Sequence, residues 1–492
     1  MQTLKDIINS KLEKATAAIP VYRALSGRQR ADFLRSVSDE INKLGDKLVE
    51  TVMQESFLPE GRVRGEMGRT TGQLNKFADL LDEGSWLEAT IDVGDPKREP
   101  LPKPDLRKMM VPLGPVVVFG AGNFPLAFSV AGGDTASALA GGNPVVVKGH
   151  PAHPLTGELV AGAISTAVEK AGLPEGVFGF IQDASYESGQ LLVQHPMTKA
   201  VGFTGSQKGG RALYNLAAQR DEPIPVFAEM GSVNPVVILK DALQHNYETI
   251  AAKLVASVNQ NAGQFCTNPG LIITTRTDGF NAFIEQVSSQ VKTASGAKMF
   301  SDSVLRNYRL NADKMFTHSE VKLIERGADE ADQDVVMPVL AMVSGSDFMA
   351  KPTLHEEVFG PFSLIVACDT DAEFSEVLQS LEGQLTATVH ATEEELAQRK
   401  DVVEVLLQKC GRLLLNGVPT GVEVCAAMQH GGPYPASTDA RFTSVGVSAV
   451  KRFVRPVSYQ DFPDALLPDE LKNGNPLNIM RVVNNVWTKD KI

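Results

Sequence analysis

The sequence is poor in the features that define several large classes of protein. It has only four cysteines in 492 residues, widely scattered and without a Cys-x-x-Cys pair. That scatter argues against a disulfide framework and favours a reducing compartment. No apolar run reaches the roughly 20 residues of a membrane-spanning helix, and the N-terminus lacks a basic region followed by an apolar core. We therefore expect a soluble, cytoplasmic protein with no membrane partner.

Positive charge is scarce as well. Lysine and arginine number 47 against 59 aspartates and glutamates, which gives a formal net charge of −12. This balance, with no basic stripe, argues against nucleic acid as a partner and leaves any anionic ligand to local donors. The eight histidines show no metal-ligand spacing. His150 and His153 are close but flank prolines, and we expect no metal site.

The residues that are present indicate a large α/β protein. Two amphipathic helices are predicted, over 27–57 and 61–83. Short apolar strands then alternate with helical stretches, at 115–119, 144–148, 176–181, 200–204 and 224–228. This alternation predicts a parallel sheet covered on both faces. Ligands bind at the carboxyl ends of such strands, so we expect every functional polar residue at such an end.

The alternation continues in the second half of the chain. Apolar strands near 271, at 363–367 and at 385–389 predict a second α/β domain. Four prolines and many charges over 92–105 predict a connection or an extended excursion. The tail from 452 has the pattern of an edge strand and a wrapping arm.

One cysteine stands at an element boundary. Cys266 lies between a helical run at 246–258 and an apolar strand at 271–275, and a Pro-Gly pair at 269–270 forces a turn. A thiol in such a place can face a cleft while nearby backbone N–H groups stay free. The common alternative for a free cysteine is a small buried hydrophobe, and only its surroundings can argue for reactivity.

Other polar residues follow predicted strands. Lys148 and Glu229 each close a strand, and a carboxylate at the end of a buried strand suits a general base near neutral pH. The turn after 200–204 contains Gly205 and Ser206 at a helix N-terminus, where N–H groups and a hydroxyl can meet a pyrophosphate. Each residue alone also has an ordinary interpretation: a solvated lysine, a capping carboxylate, a tight turn.

Taken together, these positions resemble the aldehyde dehydrogenase superfamily. The resemblance spans nearly the whole chain and follows the order Asn123, Lys148, Ser206, Glu229, Cys266. Its most specific motifs are Phe-Ala-Glu-Met-Gly at 227–231, Gly-Gln-Phe-Cys at 263–266 and Glu-Val-Phe-Gly-Pro at 357–361. Finer motifs at 68–73, 128–137, 148–154 and 430–436 resemble the subgroup that oxidises α-ketoglutaric semialdehyde. A related subgroup that oxidises long-chain aldehydes shares several of them.

The resemblance implies an architecture. A Rossmann-type parallel-sheet domain for NAD(P) would comprise 1–91 and 112–231, and an α/β catalytic domain would comprise 232–450. A small oligomerisation arm would comprise 92–111 and 451–492 and would join the chains into a homodimer or homotetramer.

The resemblance also implies a role for each candidate. Cys266 would attack the aldehyde and pass through a thiohemiacetal and a thioester. Asn123 would hold the oxyanion with the Cys266 N–H, and Glu229 would activate the hydrolytic water. The expected cofactor contacts are Lys148 at the adenosine ribose, Gly205 and Ser206 at the pyrophosphate, and Glu357 and Phe359 at the nicotinamide ribose.

Two features depart from the family pattern, one in the turn that carries Asn123 and one at the expected cofactor site. The turn at 121–125 keeps Asn123 but lacks the usual tryptophan. Pro151 stands where NAD-preferring relatives carry a glutamate, so nothing there repels a 2′-phosphate. Lys148 and His150 could then pair with that phosphate. We therefore predict NADP as the preferred cofactor, with NAD as the alternative.

The predicted substrate is an oxo-acid aldehyde, α-ketoglutaric semialdehyde. Arg69 and Gln73 lie one helical turn apart, and the resemblance places their helix beside the substrate tunnel, with Phe124. A surface salt bridge is an equal interpretation of Arg69. The alternatives are a medium- or long-chain aldehyde dehydrogenase, a catalytically silent nucleotide-binding relative, and a cysteine hydrolase, which would need a histidine base.

Overall fold

A computed structural model describes residues 3–328 and 332–492, which form fifteen α-helices and nineteen strands. The helices are α1 Leu4–Arg23, α2 Gly27–Lys43, α3 Gly45–Ser56, α4 Glu60–Glu83, α5 Gly133–Ala140, α6 Pro154–Lys170, α7 Tyr186–Gln194, α8 Gln207–Ala218, α9 Lys240–Asn259, α10 Phe280–Thr293, α11 Asp302–Met315, α12 Gly345–Ala350, α13 Asp371–Ser380, α14 Glu393–Gln398 and α15 Lys400–Leu407.

The strands group into three large sheets and one short pair, β10 with β12. Their bounds are β1 Thr90–Asp92, β2 Leu106–Pro112, β3 Val116–Phe119, β4 Val145–Lys148, β5 Phe178–Ile181, β6 Ala200–Thr204, β7 Val226–Glu229, β8 Val236–Ile238, β9 Leu271–Thr275, β10 Ala297–Lys298, β11 Lys322–Arg326, β12 Val335–Val336, β13 Val339–Ser344, β14 Phe362–Cys368, β15 Gln384–His390, β16 Cys410–Leu415, β17 Val454–Gln460, β18 Arg481–Val483 and β19 Val486–Thr488.

The first parallel sheet has the order β5-β4-β3-β6-β7. Strands β3 and β4 each contain three buried valines, and the other strands are buried at most positions, as expected for a sheet covered by helices on both faces. From β3 the chain adds β4 and β5 toward one edge of the sheet and then crosses back to add β6 and β7 toward the other edge. The direction of strand addition therefore reverses between β3 and β6. The carboxyl ends of strands beside such a reversal form a crevice for ligands.

The second sheet has the order β11-β13-β14-β9-β8-β15-β16, parallel except for β11 at one edge. It confirms the predicted second α/β region. Cys266 and Glu357, however, precede β9 and β14 and so lie at the amino ends of these strands. The expectation that all functional residues follow strands is therefore wrong. The thiol faces the carboxyl edge of the first sheet from the amino edge of the second.

A third sheet, with the order β17-β2-β1-β18-β19, joins segments distant in sequence. The strand predicted after 452 is present as β17 and lies at one edge. At the opposite edge, β19 carries exposed Val486 and Trp487. Among the described residues, no helix combines the length and apolar character needed to cross a membrane.

Three helix predictions need correction. The helix predicted over 27–57 is two helices, because Gly45 adopts a left-handed φ of 51° and redirects the chain. The helix predicted between the strands at 115–119 and 144–148 begins only at Gly133, since residues 124–132 form turns packed against α4. The N-terminal α1 was not predicted. It packs against the first sheet through Ile8 and Leu12.

Candidate active site

The turn that carries Cys266 has an unusual backbone. After α9, residues Asn261, Ala262 and Gly263 adopt φ values of 49°, 55° and 65°. Three successive left-handed residues cost conformational energy when two of them have side chains. At Gly263 a Cβ would collide with the backbone of Gly360 and Pro361. The turn therefore requires glycine at 263 and brings the thiol out of α9 in one fixed direction.

Four side chains form what we call the catalytic cluster: Glu229, Cys266, His430 and Ser444. The Cys266 Sγ lies 3.4 Å from His430 Nε2, and that nitrogen lies 3.0 Å from Glu229 Oε1. The Ser444 hydroxyl donates to Glu229 Oε2. Glu229 and His430 are buried, whereas Cys266 is partly exposed. The cluster thus surrounds an accessible sulfur with two groups able to accept its proton.

The electrostatics of the cluster favour a thiol beside an ionised carboxylate. Burial raises the pKa of Cys266 well above its ordinary value, and the negative charge of Glu229 adds to this rise. Burial also pushes the pKa of Glu229 upward, but the adjacent His430 and the hydrogen bonds from Ser444 and Cys266 outweigh it, so this pKa is lowered. Cys266 must therefore lose its proton to a neighbour as it attacks.

The turn that carries Asn123 is tied to the cysteine turn. The Asn123 Nδ2 donates to the Gln264 carbonyl at 3.1 Å, which leaves its second N–H for another acceptor. The buried Glu66 of α4 accepts at 2.9 Å from the N–H groups of both Leu126 and Ala127. Glu66 therefore holds the chain three residues beyond Asn123.

One face of α4 carries Arg62, Glu66, Arg69 and Gln73, which we call the α4 stripe. The Arg62 guanidinium lies 4.4 Å from the ring of Phe124 and 3.2 Å from Glu66 Oε2. The Phe124 ring in turn packs edge-on against Phe265 at 5.5 Å. The residues that follow Asn123 and precede Cys266 are thus in contact with each other and with α4.

Four donor nitrogens of the α4 stripe, one of them Arg62 Nε, have no hydrogen-bond partner among the described residues. Arg69 Nη1 donates to the Val422 carbonyl at 2.5 Å, but its Nε and Nη2 are buried and unpaired. Its positive charge opposes the rise in the Cys266 pKa. The Gln73 Nε2 is buried and unpaired as well. Arg69 therefore presents a partly desolvated cation toward the thiol and is not in a surface salt bridge.

The residues expected at the cofactor lie at the carboxyl edge of the first sheet, with one correction. Lys148 Nζ donates to the Asp183 carbonyl at 2.7 Å, and burial lowers its pKa. Ser206 is the N-cap of α8, and its Oγ accepts from Gly209 at 3.2 Å. The Gly205 N–H, expected to meet a pyrophosphate, donates instead to the Glu229 carbonyl at 3.0 Å. The Gly205 N–H is therefore used in a backbone hydrogen bond at the end of the first sheet and is not free for a pyrophosphate.

His150 points toward the Asn123 turn. Its ring stacks on His153 at 5.3 Å and lies 6.0 Å from Phe300, and Gly122 packs against it. Burial lowers the pKa of His150 to about 3, with the charges of His153 and Lys148 adding to the shift. A neutral imidazole in this position does not support the expected cationic contact with a 2′-phosphate.

Glu357 comes from the second sheet. Burial raises its pKa to about 8, although an N–H from Ser232 opposes the rise. Its carboxylate packs against Gly231, two residues after Glu229. The neighbouring Phe359 is partly buried on the same loop.

Sequence reasoning missed four of these residues: Arg62, Glu66, Ser444 and His430. His430 opens the His-Gly-Gly-Pro-Tyr-Pro-Ala motif at 430–436, which carried the resemblance to a subgroup but had no role assigned to it. It stands 164 residues from Cys266. The motif could have indicated a special position for His430, because the two glycines that follow it have no side chains and allow a close approach to neighbouring backbone.

A thiol, an adjacent carboxylate and an amide donor, placed at the crevice of a doubly wound sheet, are the parts of an enzyme that works through a cysteine adduct. The model of the aldehyde dehydrogenase family matches residues 2–441. The chain belongs to this family and oxidises aldehydes with a nicotinamide cofactor.

Two curated relatives match almost end to end. The α-ketoglutaric semialdehyde dehydrogenase of Acinetobacter baylyi is 46% identical over 490 residues, which cover 99% of this chain and 93% of the relative. The α-ketoglutaric semialdehyde dehydrogenase 2 of Azospirillum brasilense is 48% identical over 472 residues, covering 96% and 90%. The predicted resemblance to this subgroup is confirmed.

Solved structures share the fold at lower identity. Betaine aldehyde dehydrogenase from Staphylococcus aureus, in complex with NAD+, superposes with a TM-score of 0.79 at 20% identity, covering 93% of this chain and 88% of that chain. Glyceraldehyde-3-phosphate dehydrogenase from Methanocaldococcus jannaschii, complexed with NADP, has a TM-score of 0.76 at 19% identity, covering 93% and 94%. The predicted fold is confirmed.

Proposed function

We propose that this enzyme oxidises α-ketoglutaric semialdehyde to 2-oxoglutarate, with NADP as the preferred cofactor. The observation that carries the substrate assignment is the buried guanidinium of Arg69, which has two unpaired nitrogens and a charge felt by Cys266. The substrate has a carboxylate at the end opposite its aldehyde, and a charge-assisted bidentate contact suits arginine. The names of the two relatives at 46% and 48% identity support the same assignment.

The proposed reaction begins at Cys266. Its sulfur forms a bond to the aldehyde carbon while the thiol proton passes to Glu229 or His430. The free N–H of the Asn123 amide and the Cys266 N–H would stabilise the oxyanion, worth about 3–4 kcal/mol for one donor in a comparable site. A bound nicotinamide would supply the acceptor for the hydride that the adduct loses on becoming a thioester. Glu229, after releasing to solvent any proton taken from the thiol, then removes a proton from the water that hydrolyses the thioester, and the Cys266 sulfur leaves as the thiolate.

The chain's own residues fit a dinucleotide at the edge of the first sheet. The N-terminus of α8, with exposed Ser206, is a favourable place for the pyrophosphate. The Lys148 amine contacts the carbonyl of Asp183, just beyond the end of β5. Glu357 would supply a carboxyl group for the ribose hydroxyls. Preference for NADP rests on Lys148 and on Pro151, which stands in place of an acidic residue. The carbonyl and the charge of Asp183 beside Lys148 are the competing influence.

A substrate panel with both cofactors tests these assignments. We expect kcat/KM for α-ketoglutaric semialdehyde to exceed that for a long alkanal, and to be higher with NADP than with NAD. A preference for the alkanal would overturn the substrate assignment and leave the family assignment intact. An advantage for NAD would overturn the cofactor assignment alone.

One observation favours the alkanal as second candidate. Phe124, Phe265 and Phe128 form an apolar cluster beside the thiol, and a long hydrocarbon chain would be well solvated by these rings. The cluster and Arg69 thus make opposite predictions, which the same panel separates.

The domain division also stays a proposal. The strand groups support an NAD(P)-binding domain at 1–91 and 112–231, a catalytic domain at 232–450 and an arm at 92–111 and 451–492. The exposed Val486 and Trp487 on edge strand β19 support assembly into a homodimer or homotetramer through the third sheet. Light scattering of the wild type and of Trp487→Lys tests this. Cytoplasmic localisation remains a prediction.

A further inference from the structure

The three reactive atoms of the catalytic cluster have the arrangement of a metal site. Glu229, Cys266 and His430 form a group whose potential ligand atoms all lie within 4.8 Å of one another. The sulfur lies 3.4 Å from the imidazole nitrogen, and that nitrogen lies 3.0 Å from the carboxylate oxygen. In a tetrahedral zinc site, ordinary bond lengths place sulfur and nitrogen roughly 3.6 Å apart and nitrogen and oxygen roughly 3.3 Å apart. A small outward movement accommodates the ion.

We propose that Cys266, His430 and Glu229 bind Zn²⁺ as a tridentate inhibitory site, which reversibly blocks the nucleophile. Thiolate, imidazole and carboxylate are the ligands that zinc prefers in proteins, and three protein ligands leave a fourth position for water. The sulfur would donate to the ion the lone pair with which it otherwise attacks the aldehyde. This site is independent of which aldehyde the enzyme oxidises.

Features of the cluster itself favour binding of a dication, against the positive charge of Arg69. Glu229 is held by the Ser444 hydroxyl through its second oxygen, and such outer contacts fix the orientation of a ligating carboxylate. Of the three ligands, Cys266 is partly exposed, whereas Glu229 and His430 are buried. The charge on Glu229, which raises the pKa of the thiol, also attracts the cation.

Binding has a simple proton balance. A new bond forms between zinc and the Cys266 sulfur as the thiol proton is released to solvent, and His430 coordinates through the Nε2 lone pair. No electron is transferred. Because a thiol must ionise, each bound ion releases one proton, and the apparent affinity rises with pH.

The test uses the full-length resting enzyme without cofactor or substrate. Cobalt(II) serves as the spectroscopic substitute, because a thiolate ligand gives a sulfur-to-cobalt charge-transfer band. We expect one cobalt ion to bind per chain. Stoichiometric addition of zinc should displace the cobalt and abolish the charge-transfer band. Aldehyde oxidation should fall as zinc saturates the site, and a chelator should restore it. No charge-transfer band in an enzyme whose Cys266 still alkylates would overturn the proposal.

Variants assign the ligands. Loss of the hydroxyl that holds Glu229, in Ser444→Ala, should weaken zinc binding roughly 10–100-fold, and loss of a ligand in His430→Gln should weaken it more. His245→Gln removes an exposed histidine away from the cluster, and Cys410→Ser removes another thiol; both should bind cobalt as the wild type does. Unchanged affinity in His430→Gln, with wild-type thermal stability, would show that zinc binds elsewhere. A failed substrate panel would leave these binding results unaffected.

Discussion

The catalytic cluster and the α4 stripe lie in the same site but differ in how closely their polar groups contact one another. In the cluster, sulfur, imidazole, carboxylate and hydroxyl lie in one chain of close contacts. Both regions contain buried polar atoms with no hydrogen-bond partner among the described residues: Glu229 Oε1 and His430 Nδ1 in the cluster, and in the stripe Arg62 Nε, Glu66 Oε2, Gln73 Nε2 and two nitrogens of Arg69. A buried polar group without a partner costs about 1–3 kcal/mol. The cluster groups are thus held against one another, whereas the two guanidinium nitrogens of Arg69 are available to a ligand.

The largest expected effect is in the cluster, where Glu229→Gln should separate two reactivities. Turnover of aldehyde should fall roughly 10²–10⁴-fold, because the general base is lost. Alkylation of Cys266 by iodoacetamide should accelerate at a given pH, because removal of the negative charge lowers the pKa of the thiol. Slower alkylation would show instead that Glu229 activates the thiol in the resting enzyme.

The corresponding change in the α4 stripe should have the opposite sign for alkylation. In Arg69→Gln the cation that lowers the Cys266 pKa is gone, so alkylation should slow. The value of kcat/KM for α-ketoglutaric semialdehyde should fall roughly 10–150-fold, the equivalent of one charge-assisted hydrogen bond, with a much smaller change for an alkanal. Arg64→Gln is the matched control, because Arg64 lies on the exposed side of α4. Equal losses for both substrates would remove the recognition role.

Glu357 sharpens the comparison, because this partly buried carboxyl group has no cation beside it among the described residues. Its pKa of about 8 keeps it protonated at pH 7 in the free enzyme. Ribose hydroxyls donate to the anion, so cofactor binding would expel a proton. Below pH 8 the apparent Kd for NADP should therefore fall with rising pH, by up to about tenfold per unit, and level off above it. In Glu357→Gln this dependence should be absent by fluorescence titration.

The smallest effect should come from Glu66. Glu66→Gln keeps an oxygen for the two N–H groups after Asn123, and burial already raises the pKa of Glu66, so an amide is a close substitute. We expect turnover within about tenfold of the wild type. Glu66→Ala leaves both N–H groups unpaired and should lower the free energy of unfolding by about 1–3 kcal/mol. Urea unfolding of the two variants measures the difference, and equal stability would show that water replaces the carboxylate.

Much of the fold could be predicted from local patterns. Apolar runs such as the valines of β3 and β4 admit only a sheet buried on both faces, and the structure confirms them. The break at Gly45 could not be predicted, because a single glycine is tolerated within a helix at a cost of only about 1 kcal/mol. The turns after Phe124 depend on Glu66, which is nearly 60 residues earlier, so a pattern read locally extends the helix too far.

The site was predictable only in part. Cys266, Glu229 and Asn123 each stand at an element boundary, and the family motifs identified them. Which strand edge faces which could not be read from one sequence, so the meeting of the amino edge of the second sheet with the carboxyl edge of the first was not predicted. The contact of Cys266 with His430 spans 164 residues, and that of Glu229 with Ser444 spans 215 residues. Both contacts depend on how distant loops pack. Neither spacing nor periodicity reports such packing.

The left-handed turn at 261–263 has a consequence for engineering. Because the backbone itself aims the nucleophile, its direction does not depend on which molecule occupies the pocket. Libraries that seek new specificities can therefore vary the walls contributed by α4 and the loop near 422 without redesigning the reactive centre. Insertion or deletion of one residue in this turn, by contrast, would rotate the sulfur out of line and disable every variant built on it.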